Sequence, residues 1–266
     1  MTNDDFRELI WQKAKELYRP MPWRDDTRPY YVLVSELMLQ QTQVDRVIPK
    51  FESFIAAFPD ETSLAAASLG DVLRHWQGLG YNRRAKYLHD AAMKIAEEFG
   101  GKFPTESSEL MSLPGVGKNT AGAIQAYSFN QPAIFIETNV RTVYLHHFFA
   151  DGAVVDDKAI AELLRATIDT EHPRQWYWAL MDYGNFLKRS GQGRLRQSKH
   201  YKVQAPLKGS VREVRGQIIA ALADRDMTQQ QLSARVGIDK RFTPALTGLI
   251  KDGLVEETVG KLHLTK

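Results

Sequence analysis

The feature that most constrains the fold is a series of short apolar segments with helical spacing, separated by glycine and proline. From residue 30 to residue 128 the apolar residues recur at the intervals of one helix face. The breaks fall at Pro49, Pro59, the GLGY of 78–81, the GG of 100–101 and the LPGVG of 113–117. Few segments before residue 250 alternate as a β-strand does. This pattern predicts an all-α domain of roughly ten short helices.

The composition places the chain among soluble globular proteins. Of its 266 residues 43% are hydrophobic and 25% are charged. No apolar run reaches membrane-spanning length, and the acidic, amphipathic start of the chain does not look like an export signal. We therefore expect a cytoplasmic protein without membrane contact, and one associated with the nucleoid if the source is prokaryotic. The absence of cysteine excludes disulfides and iron–sulfur clusters held by thiolates.

Segments at the two ends extend the helical pattern. Residues 5–18 predict an amphipathic helix, and PMPWRDDTRPYY at 20–31 predicts a connection, with Pro29 at a helix start. Residues 211–266 predict three helices, the third ending at Gly253, and then two strands that turn at Val259–Gly260. That order resembles a winged helix, which either contacts DNA or serves as a docking or dimerisation module.

A basic segment separates these two regions. Residues 188–212 hold eight Lys or Arg and no acid. Such a run is either a solvated linker or a surface that binds DNA phosphates, and both readings stay open. We accordingly predict two domains, residues 1–205 and residues 206–266.

Glu36 stands within an apolar run, YYVLVSELMLQQTQV at 30–44. A carboxylate in such surroundings is costly unless it is paired or used in chemistry. The sequence therefore predicts either a functional acid or a core glutamate that is satisfied by a neighbouring arginine.

The string LPGVGKNTAGAI at 113–124 has Gly115 and Gly117 flanking one residue between two helices. Glycine permits a tight turn and a close approach of the backbone to a ligand. The free N–H groups at the start of the second helix favour an anion such as a DNA phosphate. The full string resembles the helix-hairpin-helix of the DNA glycosylase superfamily that includes endonuclease III.

Seven collinear segments over residues 20–187 extend this resemblance to the A/G-specific adenine DNA glycosylases. They are PMPWR, SELMLQQTQV, GLGYNRRAKYLHDAA, GGKFP, LPGVGKNTAGAI, ETNVRTV and ALMDYGNFL. The resemblance implies a two-lobed helix-hairpin-helix glycosylase fold, here with a small C-terminal winged helix. It also implies a DNA N-glycosylase that acts as a monomer on double-stranded DNA with a mispaired or damaged base.

The resemblance assigns catalytic roles to Glu36, Glu137 and Asn139. Glu36 would protonate the departing base, and its apolar neighbours should raise its pKa. Glu137 stands where the family has an aspartate that stabilises the sugar cation, and it is one methylene longer. Asn139 would orient Glu137 or the attacking water.

The resemblance also assigns DNA contacts. Phosphate binding falls to the hairpin residues Gly115, Val116, Gly117, Lys118 and Thr120, with a monovalent cation allowed at the hairpin, and to Arg194 and Arg196 of the basic segment. Bifunctional relatives carry a Schiff-base lysine where this chain has Asn119, so we predict a monofunctional enzyme without lyase activity. Gln40 and Tyr81 match residues that wedge into the base stack, although Tyr81 could instead cap the core. With Gln41, Arg24, Asn119 and Trp178 they complete the predicted base-pocket and intercalation set.

Three features depart from the family. The four cysteines of its iron–sulfur cluster are replaced by the basic segment, so we expect no cofactor. A winged helix stands in place of a nudix-like domain. Trp178 stands where the family has a Glu or Gln that bonds adenine, and an indole offers one donor and no acceptor.

Two excision specificities remain open on the sequence. The resemblance favours removal of adenine from A·8-oxoG or A·G mispairs, and Trp178 favours removal of thymine or uracil opposite G. A third class, a catalytically silent DNA-binding or regulatory protein on the same fold, is disfavoured by the retained pair Glu36 and Glu137.

Overall fold

The structure is a computed structural model that describes residues 1–201, 203–237 and 239–266. Lys202 of the predicted basic segment and Ile238 lie outside the described residues. The helices before residue 202 are α1 Asn3–Leu17, α2 Pro22–Asp25, α3 Pro29–Leu39, α4 Val44–Ala57, α5 Glu61–Ala65, α6 Leu69–Trp76, α7 Arg83–Glu98, α8 Ser107–Met111, α9 Lys118–Tyr127, α10 Thr138–Phe148, α11 Asp157–Thr167 and α12 Pro173–Arg189. A short 3₁₀ turn, Leu195–Gln197, follows. The C-terminal elements are α13 Val211–Asp224, α14 Gln229–Val236, α15 Phe242–Lys251, β1 Val255–Thr258 and β2 Lys261–Leu264.

The prediction of an all-α region is confirmed, with differences in detail. Residues 1–201 contain twelve α-helices rather than roughly ten. The predicted connection at 20–31 contains the short helix α2, and α3 begins at Pro29 as predicted. Pro49 does not separate two helices but lies inside α4. The apolar face of α4, with Val47, Phe51 and Phe54 buried, compensates for the hydrogen bond that proline removes.

The residues form two compact units. The first consists of Met1–Val32, Thr105–Met111 and Val116–Val203. Its core lies where α1, α10 and α12 pack together, and the rings of Phe6, Tyr144 and Trp176 meet there. A capping box at Thr2 and Asp5 starts α1, because each side chain satisfies a backbone N–H that the first turn leaves free.

The second unit consists of Leu33–Pro104, Ser112–Gly115 and Gln204–Lys266. In it α5 and α6 pack against α7, and α4 packs against α6. Phe54 and Trp76 meet edge to face at a centroid distance of 6.1 Å, and both are fully buried.

The C-terminal elements occur in the predicted order within the second unit. α13 packs against α14, α15 and β2, and both α13 and β2 contact α6. The antiparallel strands turn at Val259 and Gly260, which have φ of 52° and 72°, as a tight hairpin requires. The third helix ends at Lys251, two residues before Gly253. The winged-helix reading and the division at residue 205 stay predictions.

Among the described helices, none has both the length and the apolar character needed to span a membrane.

Candidate active site

Glu137 caps the start of α10 in the first unit. Its Oε1 accepts hydrogen bonds from the backbone N–H of Asn139 and, at 3.0 Å, from that of Val140. The Nδ2 of Asn139 lies 3.4 Å from the Oε2 of Glu137. The carboxylate satisfies two N–H groups that a helix start leaves free, and these donors hold the carboxylate in one orientation.

The surroundings of Glu137 change its titration. Burial raises the pKa of the Glu137 carboxyl, while the N–H of Val140 and the charges of Lys188 and Arg141 act in the opposite direction. Burial likewise lowers the pKa of the Lys188 ammonium, and the negative charge of Glu137 opposes that change. Lys188 therefore belongs to the electrostatic environment of Glu137, a role that the sequence analysis did not assign to it.

Asn119 fixes the backbone just before Glu137. Its Nδ2 donates to the carbonyl oxygen of Ile136 at 2.9 Å, and its Oδ1 accepts from the N–H of Ile136 at 3.4 Å. Asn119 was predicted in the base pocket, and that role stays a prediction. The contacts show that its amide already positions the residue that precedes the candidate catalytic carboxylate.

Asn139 lies against α12 at Gly184. A Cβ placed on Gly184 would come within 2.7 Å of the Cβ of Asn139 and 2.8 Å of its carbonyl carbon, so a larger residue does not fit. The Nδ2 of Asn139 also lies 3.6 Å from the Sδ of Met181. Within the described residues its buried Oδ1 has no hydrogen-bond partner, which leaves an acceptor beside Glu137.

Arg24 is held by a buried ion pair. Its Nη1 lies 2.7 Å from the Oδ2 of Asp182 and its Nη2 lies 3.1 Å from the Oδ1. Asp182 also accepts from the Nε of Arg19 at 2.7 Å. A buried carboxylate that is satisfied by two guanidinium groups is expensive to break, because removal of one partner leaves a charge unpaired. The predicted pocket role of Arg24 stays a prediction.

Trp178 stands beside this ion pair on α12. The guanidinium carbon of Arg24 lies 5.4 Å from the centroid of the Trp178 ring. The ring centroids of Tyr18 and Trp178 are 6.5 Å apart. Trp178 is partly exposed. Its indole can therefore meet a ligand while one part of it packs on Arg24.

The hairpin has the geometry that its glycines predict. Gly115 has φ of +79°, and a Cβ there would lie 2.8 Å from the Cβ of Tyr87. Val116 is buried, and Gly117 precedes α9, whose first turn has no side-chain cap among the described residues. Lys118 is exposed and Thr120 is buried. The first N–H groups of α9 are therefore not satisfied by a side-chain cap, as an anion site requires, and the phosphate role stays a prediction.

The segment after α12 is held by side-chain and backbone contacts. Arg194 forms an ion pair with Asp151 at 2.9 Å and donates to the carbonyl oxygen of Phe149 at 3.1 Å. The backbones of Ser198 and Val155 pair as an isolated parallel β-bridge. No cysteine is present to ligate iron, so an iron–sulfur cluster of the thiolate type does not fit this site. Arg196 is exposed.

Glu36 lies on the part of α3 that belongs to the second unit. It is partly exposed and stands between the buried residues Ser35 and Leu37. The helix thus carries the acid in an apolar sequence context, as predicted, while leaving its side chain partly accessible.

Arg84 contacts both Gln40 and the ring of Tyr81, and Gln41 follows Gln40 in the chain. The Nη1 of Arg84 donates to the carbonyl oxygens of Leu37, Met38 and Gln40 at 2.7 to 2.8 Å, and its Nη2 donates to that of Gly80 at 2.9 Å. One buried guanidinium therefore joins the end of α3 to the GLGY loop.

Both joined segments have unusual backbone geometry. Gln41 and Tyr81 have φ of 57° and 49°, values that residues other than glycine seldom adopt. Burial lowers the pKa of Arg84 to about 10, with the charge of Tyr81 opposing that change. Sequence reasoning missed Arg84, and its place two residues after GLGYN, at the start of α7, is the available signal.

The comparisons with known proteins agree with this geometry. Residues 34–168 match the sequence model of a family described as HhH-GPD superfamily base excision DNA repair protein. The chain is 34% identical to the adenine DNA glycosylase of Mycolicibacterium smegmatis, over 90% of this chain and 89% of that protein. It is 36% identical to the adenine DNA glycosylase of Buchnera aphidicola subsp. Baizongia pistaciae over 62% of this chain. That match spans 48% of the Buchnera protein, so the chain covers about half the length of this relative.

A solved structure shows the same fold. A thermostable thymine-DNA glycosylase aligns with a TM-score of 0.67 and 22% identity, over 73% of this chain and 91% of that chain. The helix-hairpin-helix prediction is therefore confirmed by the fold and by the family match, and this chain belongs to the HhH-GPD superfamily of base excision DNA repair proteins.

Proposed function

We propose that the chain is a monofunctional DNA glycosylase that removes adenine from A·8-oxoG or A·G mispairs in double-stranded DNA. The observation that carries the proposal is the fixed carboxylate of Glu137, held by two backbone N–H groups beside the unpartnered Oδ1 of Asn139. The choice of adenine is supported by relatives that are named adenine DNA glycosylases.

The proposed reaction divides the chemistry between two acids. Glu36, in its protonated form, gives its proton to a ring nitrogen of the extruded adenine, and the bond between that base and C1′ of the sugar breaks. The negative charge of Glu137 stabilises the sugar cation. Water then bonds to C1′ and releases a proton, which restores the acid form of Glu36.

Water rather than an amine is the proposed nucleophile. Asn119, at the position of the Schiff-base lysine, cannot form an imine, and its amide is bonded to Ile136. Lys118 is exposed at the first residue of α9, where its charge suits a phosphate. We therefore propose that excision ends at an abasic site without strand cleavage.

The contacts around Trp178 support a second candidate, removal of thymine or uracil opposite G. The indole stacks on Arg24 at 5.4 Å and offers no acceptor to the amino group of adenine. The apolar face of the Trp178 indole suits a pyrimidine ring as well as it suits adenine.

A panel of mismatched duplexes tests both candidates. Duplexes with A opposite 8-oxoG, G, C or T, and with T or U opposite G, are incubated with the protein and then treated with alkali. Adenine removal opposite 8-oxoG and G supports the first candidate, and cleavage only in the T·G or U·G duplexes supports the second. Strand cleavage before alkali treatment would contradict a monofunctional enzyme.

A further inference from the structure

A cleft of about 560 Å³ opens within the second unit beside Tyr81. Its walls come from the end of α3, the GLGY loop, the first turns of α13 and the end of α15. The charged side chains on these walls are five cations and one acid, namely Arg83, Arg84, Arg212, Arg215, Lys251 and Asp252. A cleft with this charge favours an anionic or electron-rich ligand.

Three of these cations already have partners. Asp252 forms ion pairs with Arg83 and Arg215 at 2.6 Å each, and Arg84 faces backbone carbonyls. Among the residues that the structure describes, Arg212 and Lys251 have no carboxylate partner. These two side chains are therefore the ones available to a ligand in the cleft.

Arg212 lies over the ring of Tyr81, the residue predicted to wedge into the base stack. Its guanidinium carbon lies 4.8 Å from the centroid of the Tyr81 ring, and its Nη1 donates to the Tyr81 hydroxyl. Its Nη2 donates to the carbonyl oxygen of Ala205 at 2.9 Å, and Gln204 also donates to the Tyr81 hydroxyl. A guanidinium has five N–H donors in one plane, so these two bonds leave donors for a ligand beside Tyr81.

We propose that Arg212 reads the base that stands opposite the excised one, and that this base is a purine with a guanine-type O6 acceptor. The inference rests on the proposed function, since the wedge role of Tyr81 belongs to it. Arginine bound to O6 and N7 of guanine is the commonest specific contact between proteins and DNA bases. In 8-oxoguanine N7 carries a hydrogen, so there the contact uses O6 alone. Adenine and cytosine present an amino donor at the corresponding position, which a guanidinium repels.

Lys251 has a different role in the same cleft. It is exposed at the last residue of α15, and its ammonium is a point charge without a planar donor set. It suits a backbone phosphate next to the opposite base, where it adds affinity without sequence information. The C-terminal helices α13 and α15 thereby supply one base contact and one phosphate contact.

The test measures equilibrium binding by fluorescence anisotropy. The duplexes carry a tetrahydrofuran abasic site opposite G, 8-oxoG, A, C or T, so that excision is not needed. We expect the parent to bind the G and 8-oxoG duplexes at least about tenfold more tightly than the A and C duplexes. Arg212→Ala should reduce that preference to about threefold or less, and Arg212→Lys should do the same because it keeps the charge and loses the planar fork.

Lys251→Ala is the matched control, and it should weaken binding to all five duplexes by a similar factor. A uniform loss in both Arg212 variants would overturn the inference and make Arg212 a phosphate contact. A parent without preference for G and 8-oxoG would also overturn it. If the parent has the preference but excises no adenine, the proposed function fails while the reading role of Arg212 stands. Should Arg212→Ala not fold, as judged by its melting curve, Arg212→Lys alone decides.

Discussion

Gly184 of α12 lies directly against Asn139 of α10, with 2.7 Å between the Asn139 Cβ and the position that a Cβ on Gly184 would take. The backbone of Asn139 in turn donates to Glu137, and Asn119 holds the preceding residue. The orientation of the candidate carboxylate therefore depends on a helix contact that only glycine allows.

Gly184→Ala should disturb this site. The added methyl must displace α10 or α12, because both neighbours are backbone or Cβ atoms rather than flexible side-chain ends. We expect a loss of about 1–3 kcal/mol in the free energy of unfolding, as overpacking commonly causes. The excision rate should fall by a larger fraction than the free energy of unfolding does. Glu162→Ala, at an exposed position of α11, is the control, because alanine favours a helix and the position lies outside the proposed sites. Parent-like stability and excision in Gly184→Ala would show that the contact does not position Glu137.

Glu36→Gln should keep duplex binding and lose excision, because an amide has no acidic proton to give to the base. Single-turnover excision and anisotropy with the same duplex measure the two properties separately. Glu52→Gln, at an exposed position of α4, is the matched control and should excise like the parent. Excision by Glu36→Gln within about tenfold of the parent would remove Glu36 from the role of general acid.

Excision should fall at low pH because of Glu137. Its folded pKa is raised by burial, and only the ionised form stabilises the sugar cation. The rate should therefore rise with pH through that raised pKa. Lys188 lowers the pKa of Glu137, so Lys188→Met should move this acidic limb to higher pH. Lys158→Met, at an exposed site on α11, should leave the limb in place. An unshifted limb in Lys188→Met would show that another group controls it.

Borohydride should trap no covalent adduct between the protein and DNA. Asn119 has no amine, and an imine requires one. Gel analysis after reduction measures the adduct directly, with endonuclease III on its own substrate as the positive control. Efficient trapping that disappears in Lys118→Ala would identify Lys118 as a nucleophile and contradict the proposed water mechanism.

Arg196→Gln should flatten the salt dependence of binding by about one unit, because each phosphate contact contributes a slope near −0.9. The loss should be similar for matched and mismatched duplexes. Arg194 differs from Arg196 because it forms an ion pair with Asp151 that holds the loop. Its replacement together with Arg196 should flatten the slope by about one to two units. Arg165→Gln, exposed on α11, should keep the parent slope. A parent-like slope in the double variant would make the segment a tether.

The sequence by itself determined the helical architecture and the candidate chemistry. Apolar spacing and glycine breaks predicted the helices, because helix formation depends on residues three to four positions apart. Glu36 and Glu137 were predicted as the acids because they stand in strings that resemble specific motifs of the family, and their roles stay predictions. Gly115 was found because a turn with positive φ is a local requirement.

Tertiary structure alone decided the supporting contacts. Arg84 reaches carbonyls more than forty residues away, Asn119 bonds to Ile136, and Lys188 acts on the pKa of Glu137. The stacking of Arg212 on Tyr81 joins residues 131 positions apart. Local periodicity does not predict such pairs, because the partners of a long side chain depend on how the helices pack. Burial then sets their charge and orientation, and no position in the linear chain records it.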